Sequence, residues 1–286
     1  MGPETPSPEK SEHLPLGNAL NAFYVSEKFL QLKANTQSAY RGDLKRLQRS
    51  LSRSGIESVS QITPEAINGY LSSLQRQPNT ITRYLFSIKS FLQWATANQL
   101  VDPSLKDRLP ENPDLKRRSP LSHLSEWEIV ELVEKSRGNL RNLALVTLAL
   151  ETGARATELL DLNVDDIRSN SPTQISIRFT NGTGKVRNNS LEGESAEIIR
   201  RHAAEQGSGS LFCSTKDPSI GTRISRQNFL FVIQGLGRDI GRPDLNLRIL
   251  RNTFVWNFHG DPTQLTNQLG ITYAHARELL MRESEK

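Results

Sequence analysis

One stretch constrains this chain more than any other. An apolar run at residues 143–150 ends in Thr152-Gly153, Arg155 follows at once, and a second amphipathic run opens on Ala156-Thr157-Glu158. The pattern predicts two helices meeting at a tight corner. Gly153 suits the stop of the first helix, because glycine accepts the left-handed backbone that ends many helices. Arg155 then falls near the N-terminal end of the second helix. Free backbone N–H groups and the helix dipole already favour an anion there. A guanidinium adds a planar fork matched to phosphate oxygens. Ordinary pairing of Arg155 with Glu151 or Glu158 explains the same residues equally well.

The 286 residues suffice for two domains, each with its own core. The single cysteine, Cys213, excludes a disulfide framework and fits a reducing compartment. Residues 143–150 form the longest apolar run, far too short to span a bilayer, and the N-terminus carries no basic-then-apolar signal pattern. The expectation is a cytoplasmic, nucleoid-associated protein with no membrane partner. The formal net charge of +5 makes an acidic partner plausible, and its distribution is informative. Residues 17–108 hold 12 Lys/Arg against 6 Asp/Glu, whereas residues 122–286 hold 20 of each sign. Attraction to a polyanion therefore resides in the first part, although a solvated basic surface would read the same way.

In chain order, residues 1–16 are rich in Pro, Glu and Ser and read as a disordered tail. Residues 17–108 read as a four-helix unit. Its helices comprise an apolar-periodic run over residues 18–33, a second capped by Thr36 with Tyr40, Leu44, Leu47 and Leu51 on one stripe, a third opening at Thr63-Pro64-Glu65, and a fourth opening at Pro78-Asn79-Thr80. Residues 109–121, with Pro110, Pro113 and Pro120 and a Lys116-Arg117-Arg118 run, read as a stiff basic linker. Residues 122–286 form the second domain. It opens with capping-box spacing at Ser125 and Glu128 and passes the Arg155 corner. Residues 175–180 and 185–191, joined by a Gly-rich turn, predict a β-hairpin with Lys185 at or just past the turn. Helices are predicted over residues 194–206, 225–238, 263–269 and 273–282, with the run Asn246–Trp256 between the second and third.

These pieces together resemble the tyrosine recombinases, or phage integrases. Thr36-x-x-x-Tyr40-x-x-Asp43-Leu44 and Thr80-x-x-Arg83-x-Leu85-x-x-Ile88-x-x-Phe91-x-x-Trp94 resemble the core-binding pattern. Thr152-Gly153-Ala154-Arg155-x-x-Glu158-Leu159 resembles the first arginine box, Lys185-x-Arg187-x-x-Ser190-Leu191 the hairpin lysine segment, Leu250-Arg251-Asn252-Thr253-Phe254 the second arginine box, and Leu269-Gly270 the dipeptide before the final box. The resemblance implies a mainly α fold with a small antiparallel β-sheet, a helical SAM-like core-binding domain preceding a recombinase-type catalytic domain.

It also implies a chemistry. In such a family a tyrosine attacks a DNA phosphodiester, two arginines stabilise the charge that gathers on the phosphate, a lysine protonates the leaving oxygen, and a histidine assists proton movement. No metal or other cofactor is called for. Arg155, Lys185 and Arg251 occupy matching positions, and Glu158 matches the acid supporting the first arginine. Arg248 stands where the family has histidine, and a guanidinium cannot serve as a base near neutral pH. Ile271 follows Leu269-Gly270 where His or Trp is usual. The nucleophile is expected at or near Leu280, and residues 278–282 contain no tyrosine. Tyr273 is the sole tyrosine nearby and comes early. The departures fall on proton transfer and nucleophile, not on phosphate recognition.

The resulting expectation is a duplex-DNA-binding protein of recombination or integration that clamps a phosphate with Arg155, Arg248, Arg251 and Lys185 and does not cleave. Arg41, Lys45, Arg49, Arg83, Lys89 and Arg117 are the expected backbone contacts. Its partners would be double-stranded DNA and either further copies of itself or an active recombinase. The alternatives are an active recombinase using Tyr273 or a nucleophile supplied in trans, and a helical protein-interaction module.

Overall fold

The structure, a computed structural model, describes residues 14–76, 78–109, 121–182, 184–215 and 218–284. Arg117 and most of the Pro-rich stretch lie outside them. The chain divides into two compact units, residues 1–118 and 119–286.

The first unit is built of helices α1 (Leu16–Val25), α2 (Glu27–Leu30), α3 (Ala34–Arg53), α4 (Pro64–Ser73) and α5 (Pro78–Ala97). The continuous helix predicted over residues 18–33 is in fact broken at Ser26. The Ser26 hydroxyl takes the Phe29 amide at 3.4 Å and starts α2, so a cap-forming residue overrides the apolar periodicity. Helix α3 likewise begins at Ala34, ahead of Thr36, with no side-chain cap. The start at Thr63-Pro64 is as read, Thr63 accepting the Ala66 amide. Tyr84, Leu85, Ile88, Leu92 and Ala95 of α5 are buried against Leu44, Leu47 and Leu51 of α3. Phe23 meets Phe29 and Phe91 edge-on, with centroids 5.1 and 5.6 Å apart. Each such side chain, taken fully out of water, contributes roughly 1.5–3 kcal/mol.

The second unit runs α6 (Glu126–Ser136), α7 (Leu140–Thr152), α8 (Ala156–Asp161), strands β1 (Ile167–Ser171), β2 (Gln174–Thr180) and β3 (Val186–Glu192), then α9 (Gly193–Gln206), α10 (Arg226–Asp239), α11 (Leu247–Trp256), α12 (Pro262–Leu269) and α13 (Tyr273–Ser284). The Ser125–Glu128 capping box is formed. The hairpin is present, and β1 adds a third antiparallel strand in the order β1-β2-β3. That strand escapes the sequence reading because Ile-Arg-Ser-Asn-Ser has no buried alternation; it is an edge strand exposed along most of its length. On β2, Ile175, Ile177 and Phe179 face the core, and on β3 the same face carries Leu191, Asn189 and Arg187. Among the described residues no helix is long and apolar enough to cross a membrane.

A three-arginine candidate site around a buried glutamate

The corner between α7 and α8 forms as its sequence dictates. Gly153 caps α7 in the left-handed region at φ 55°, and a Cβ there would lie 2.6 Å from Phe254 Cδ1 and 2.8 Å from Leu269 Cδ2. Glycine at this point thus lets α11 and α12 close directly onto the corner. Arg155 is the N-cap of α8. Its amide donates to Glu158 Oε2 at 2.7 Å and its Nη1 to Glu158 Oε1 at 3.1 Å. The pairing with Glu158 and the anion-ready corner are therefore one arrangement, not rival readings.

Glu158 is 2% exposed and serves a second arginine. From β3, Arg187 reaches Glu158 Oε2 with Nη2 at 3.2 Å. It also donates to Asn189 Oδ1 and to the Gln268 carbonyl, and its Cζ lies 4.2 Å from the Phe179 ring centroid. Burial tends to raise the Glu158 pKa, but the hydrogen bonds from Arg187 and the Arg155 amide, with the charges of both arginines, outweigh it and hold the carboxyl below its usual range. Arg251, from α11, donates Nη1 to the Gly153 carbonyl. Burial and the neighbouring charge of Arg155, with a further push from Arg187 and partial relief from Glu158, bring its pKa down to about 10, so it stays charged at neutral pH. Three guanidinium groups thus gather around one carboxylate. The excess positive charge, with Arg155 about two-fifths exposed, suits an anion arriving from solvent.

Of the residues expected in the clamp, the structure brings together Arg155 and Arg251. Arg187 joins them. It was legible as a residue of the hairpin segment but not as a buried one. The parity of β3 carried the signal: Leu191 faces inward, so Asn189 and Arg187 must as well. Lys185 lies just before β3, exposed, with its backbone amide on Asn181 Oδ1. Arg248 is exposed in the first turn of α11 and forms no ion pair among the described residues. Tyr273 is the first residue of α13 and 55% exposed. Leu280 is half-buried against an apolar cluster of Val255, Leu265, Leu269, Ile271, Ala276 and Leu279. In the first unit Arg41, Lys45, Arg49 and Arg83 are exposed and Lys89 is half-buried. Arg41 lies over the Tyr24 ring at 4.5 Å.

The second unit of this mainly helical protein thus presents an arginine cluster at a helix corner beside a three-stranded sheet. Two family models match the chain: "Phage integrase, N-terminal SAM-like domain" over residues 27–99 and "Phage integrase family" over residues 122–259. The second match ends before α12 and α13. Tyrosine recombinase XerC of Roseiflexus castenholzii is 27% identical over 242 residues, covering 78% of this chain and 74% of that protein. Tyrosine recombinase XerD of Mycobacterium leprae is 29% identical over 255 residues, covering 78% of each. A lambda integrase dimer bound to a COC′ core site shares the fold with a TM-score of 0.75 at 15% identity, covering 97% of this chain and 80% of that one. The XerH site-specific recombinase bound to its palindromic difH substrate gives 0.72 at 16%, covering 88% and 76%. The chain belongs to the tyrosine recombinase, or phage integrase, family.

Proposed function

We propose that this chain acts in DNA recombination or integration as a duplex-DNA-binding protein that holds a backbone phosphate at Arg155 and Arg251 and does not cut it. The cluster of Arg155, Arg187 and Arg251 around Glu158 carries this reading. Arg155 and Arg251 supply forks for the non-bridging oxygens, and Arg187 locks the carboxylate that aims Arg155. Cleavage also needs a nucleophile and a group that moves protons. Leu280, in the region where the resemblance calls for tyrosine, is an aliphatic side chain packed in an apolar cluster. Arg248, in the histidine position, has no lone pair to accept a proton. Relatives described as bound to DNA, some as dimers or tetramers, support double-stranded DNA and further protein copies as partners.

The reading is tested by measuring affinity for duplex DNA across salt concentrations. Phosphate neutralisation releases counterions, so log K is expected to fall linearly with log salt, by about 0.9 in slope per phosphate contacted. Arg155→Gln and Arg251→Gln are each expected to weaken binding by about tenfold and to flatten that slope by about one contact. Salt-independent affinity, or binding untouched by both substitutions, contradicts the clamp.

A further inference from the structure

The first unit contains a polar cluster that the basic surface alone does not explain. Asp43 lies on α3 beside the buried Leu44 and is 3% exposed. Its Oδ1 accepts Arg83 Nη2, from α5, at 3.0 Å. Its other oxygen is also buried and has no hydrogen-bond partner among the described residues. Arg46, on α3, donates Nη1 to the Tyr84 hydroxyl at 2.8 Å. Tyr84 is fully buried, and Arg83 Cζ lies 5.3 Å from the centroid of the same ring. Tyr70 meets that ring edge-on, with centroids 6.2 Å apart. Two arginines from two helices are thus fastened at the α3–α5 seam to one acid and one phenol.

A pair that served stability alone would not be built this way. One carboxylate oxygen is left bare in a buried position, and burial pushes the Asp43 carboxyl up even against the charges of Arg83 and Arg46. Apolar replacements of such pairs are often as stable or more so. What the cluster achieves is orientation. Arg46 and the Arg83 side chain, 45% exposed, both open to solvent, and two guanidiniums against one carboxylate leave a net positive charge. An arginine already held in place loses less freedom when it engages a phosphate.

We propose that Asp43 and Tyr84 are positioning residues that hold Arg83 and Arg46 as a paired seat for a backbone phosphate of duplex DNA. The seat rests on the DNA-binding reading above and adds to it Arg46 and the two residues behind the arginines.

The test uses the full chain and a labelled duplex, with anisotropy read at several salt concentrations and melting followed by circular dichroism. Asp43→Asn removes a negative charge from a DNA-facing unit, so simple electrostatics calls for tighter binding. The seat calls for the opposite: affinity lower by about three- to tenfold and a salt slope flatter by about 0.9, the signature of one lost phosphate contact. In an Arg83→Ala background the same substitution is expected to have little further effect, because the two residues act as one unit. Tyr84→Phe keeps the ring and changes no charge, yet is expected to weaken binding about twofold to threefold by freeing Arg46. If Asp43→Asn melts below the assay temperature, Tyr84→Phe decides alone. Equal or tighter binding by folded Asp43→Asn, effects that add to Arg83→Ala, or an unchanged Tyr84→Phe overturn the seat and leave the DNA-binding reading standing. A wild-type chain with no affinity for duplex DNA overturns that reading, and the seat with it.

Discussion

Each unit buries a carboxylate that holds arginines, and the two behave oppositely. Glu158 in the second unit receives donors from Arg155 and Arg187 on both oxygens and is held more acidic than an ordinary glutamate. Asp43 in the first unit has, among the described residues, one ion pair and one bare oxygen, and is pushed less acidic. Both pay desolvation, so the number of donors decides the sign. The surfaces differ in the same sense. The first unit spreads excess charge over exposed helix faces, whereas the second, with Lys/Arg and Asp/Glu in equal number over residues 122–286, concentrates three guanidiniums at one point. Net charge finds the first kind of positive surface and misses the second.

Removing each acid in turn is expected to separate the two units by the widest margin. Glu158→Gln leaves buried arginines without a counter-charge and is expected to cost about 3–5 kcal/mol, read as a lower denaturant midpoint. Asp43→Leu is expected to change stability by no more than about 1 kcal/mol, or to raise it. Equal losses from both would erase the distinction.

Acid titration probes the same contrast without mutation. Glu158 has a folded pKa below its free value of 4.5, so its contribution is complete above that value and is lost as the pH falls through the folded pKa. Asp43 has a folded pKa above its free value of 3.8, so its ionised form carries a penalty at neutral pH that is relieved as the pH falls. Hydrogen exchange, corrected for intrinsic rates, is expected to show acid loosening α7–α8 while α3–α5 hold.

Glycine substitutions give smaller effects of opposite sign. Gly153→Ala meets both the positive φ and the Phe254 and Leu269 side chains, and is expected to destabilise by about 1–3 kcal/mol. Gly42, in the middle of α3, has nothing within 4 Å of a Cβ, and Gly42→Ala is expected to stabilise by about 0.5–1 kcal/mol. Thermal melts of the two variants check both signs.

The sequence disclosed features that are local. The Gly153 stop, the place of Arg155 near the start of the next helix, the Thr63 and Ser125 starts and the hairpin all follow from short-range rules and are present. What it hid depends on long-range packing. Strand β1 has no alternation of its own and is defined by pairing with β2. Arg187 and Asp43 are charged residue types that are seldom buried, yet both are buried because partners far along the chain meet them there. The break at Ser26 is a local signal that apolar periodicity masked.

On the reading proposed above, the phosphate is held and not broken. Incubation of the full chain with a nicked suicide duplex, with covalent protein–DNA adducts resolved on a denaturing gel, decides between holding and cutting. The duplex is expected to be bound with no adduct formed. An adduct that forms with the wild-type chain and disappears in Tyr273→Phe would contradict it, making the exposed tyrosine at the start of α13 the nucleophile.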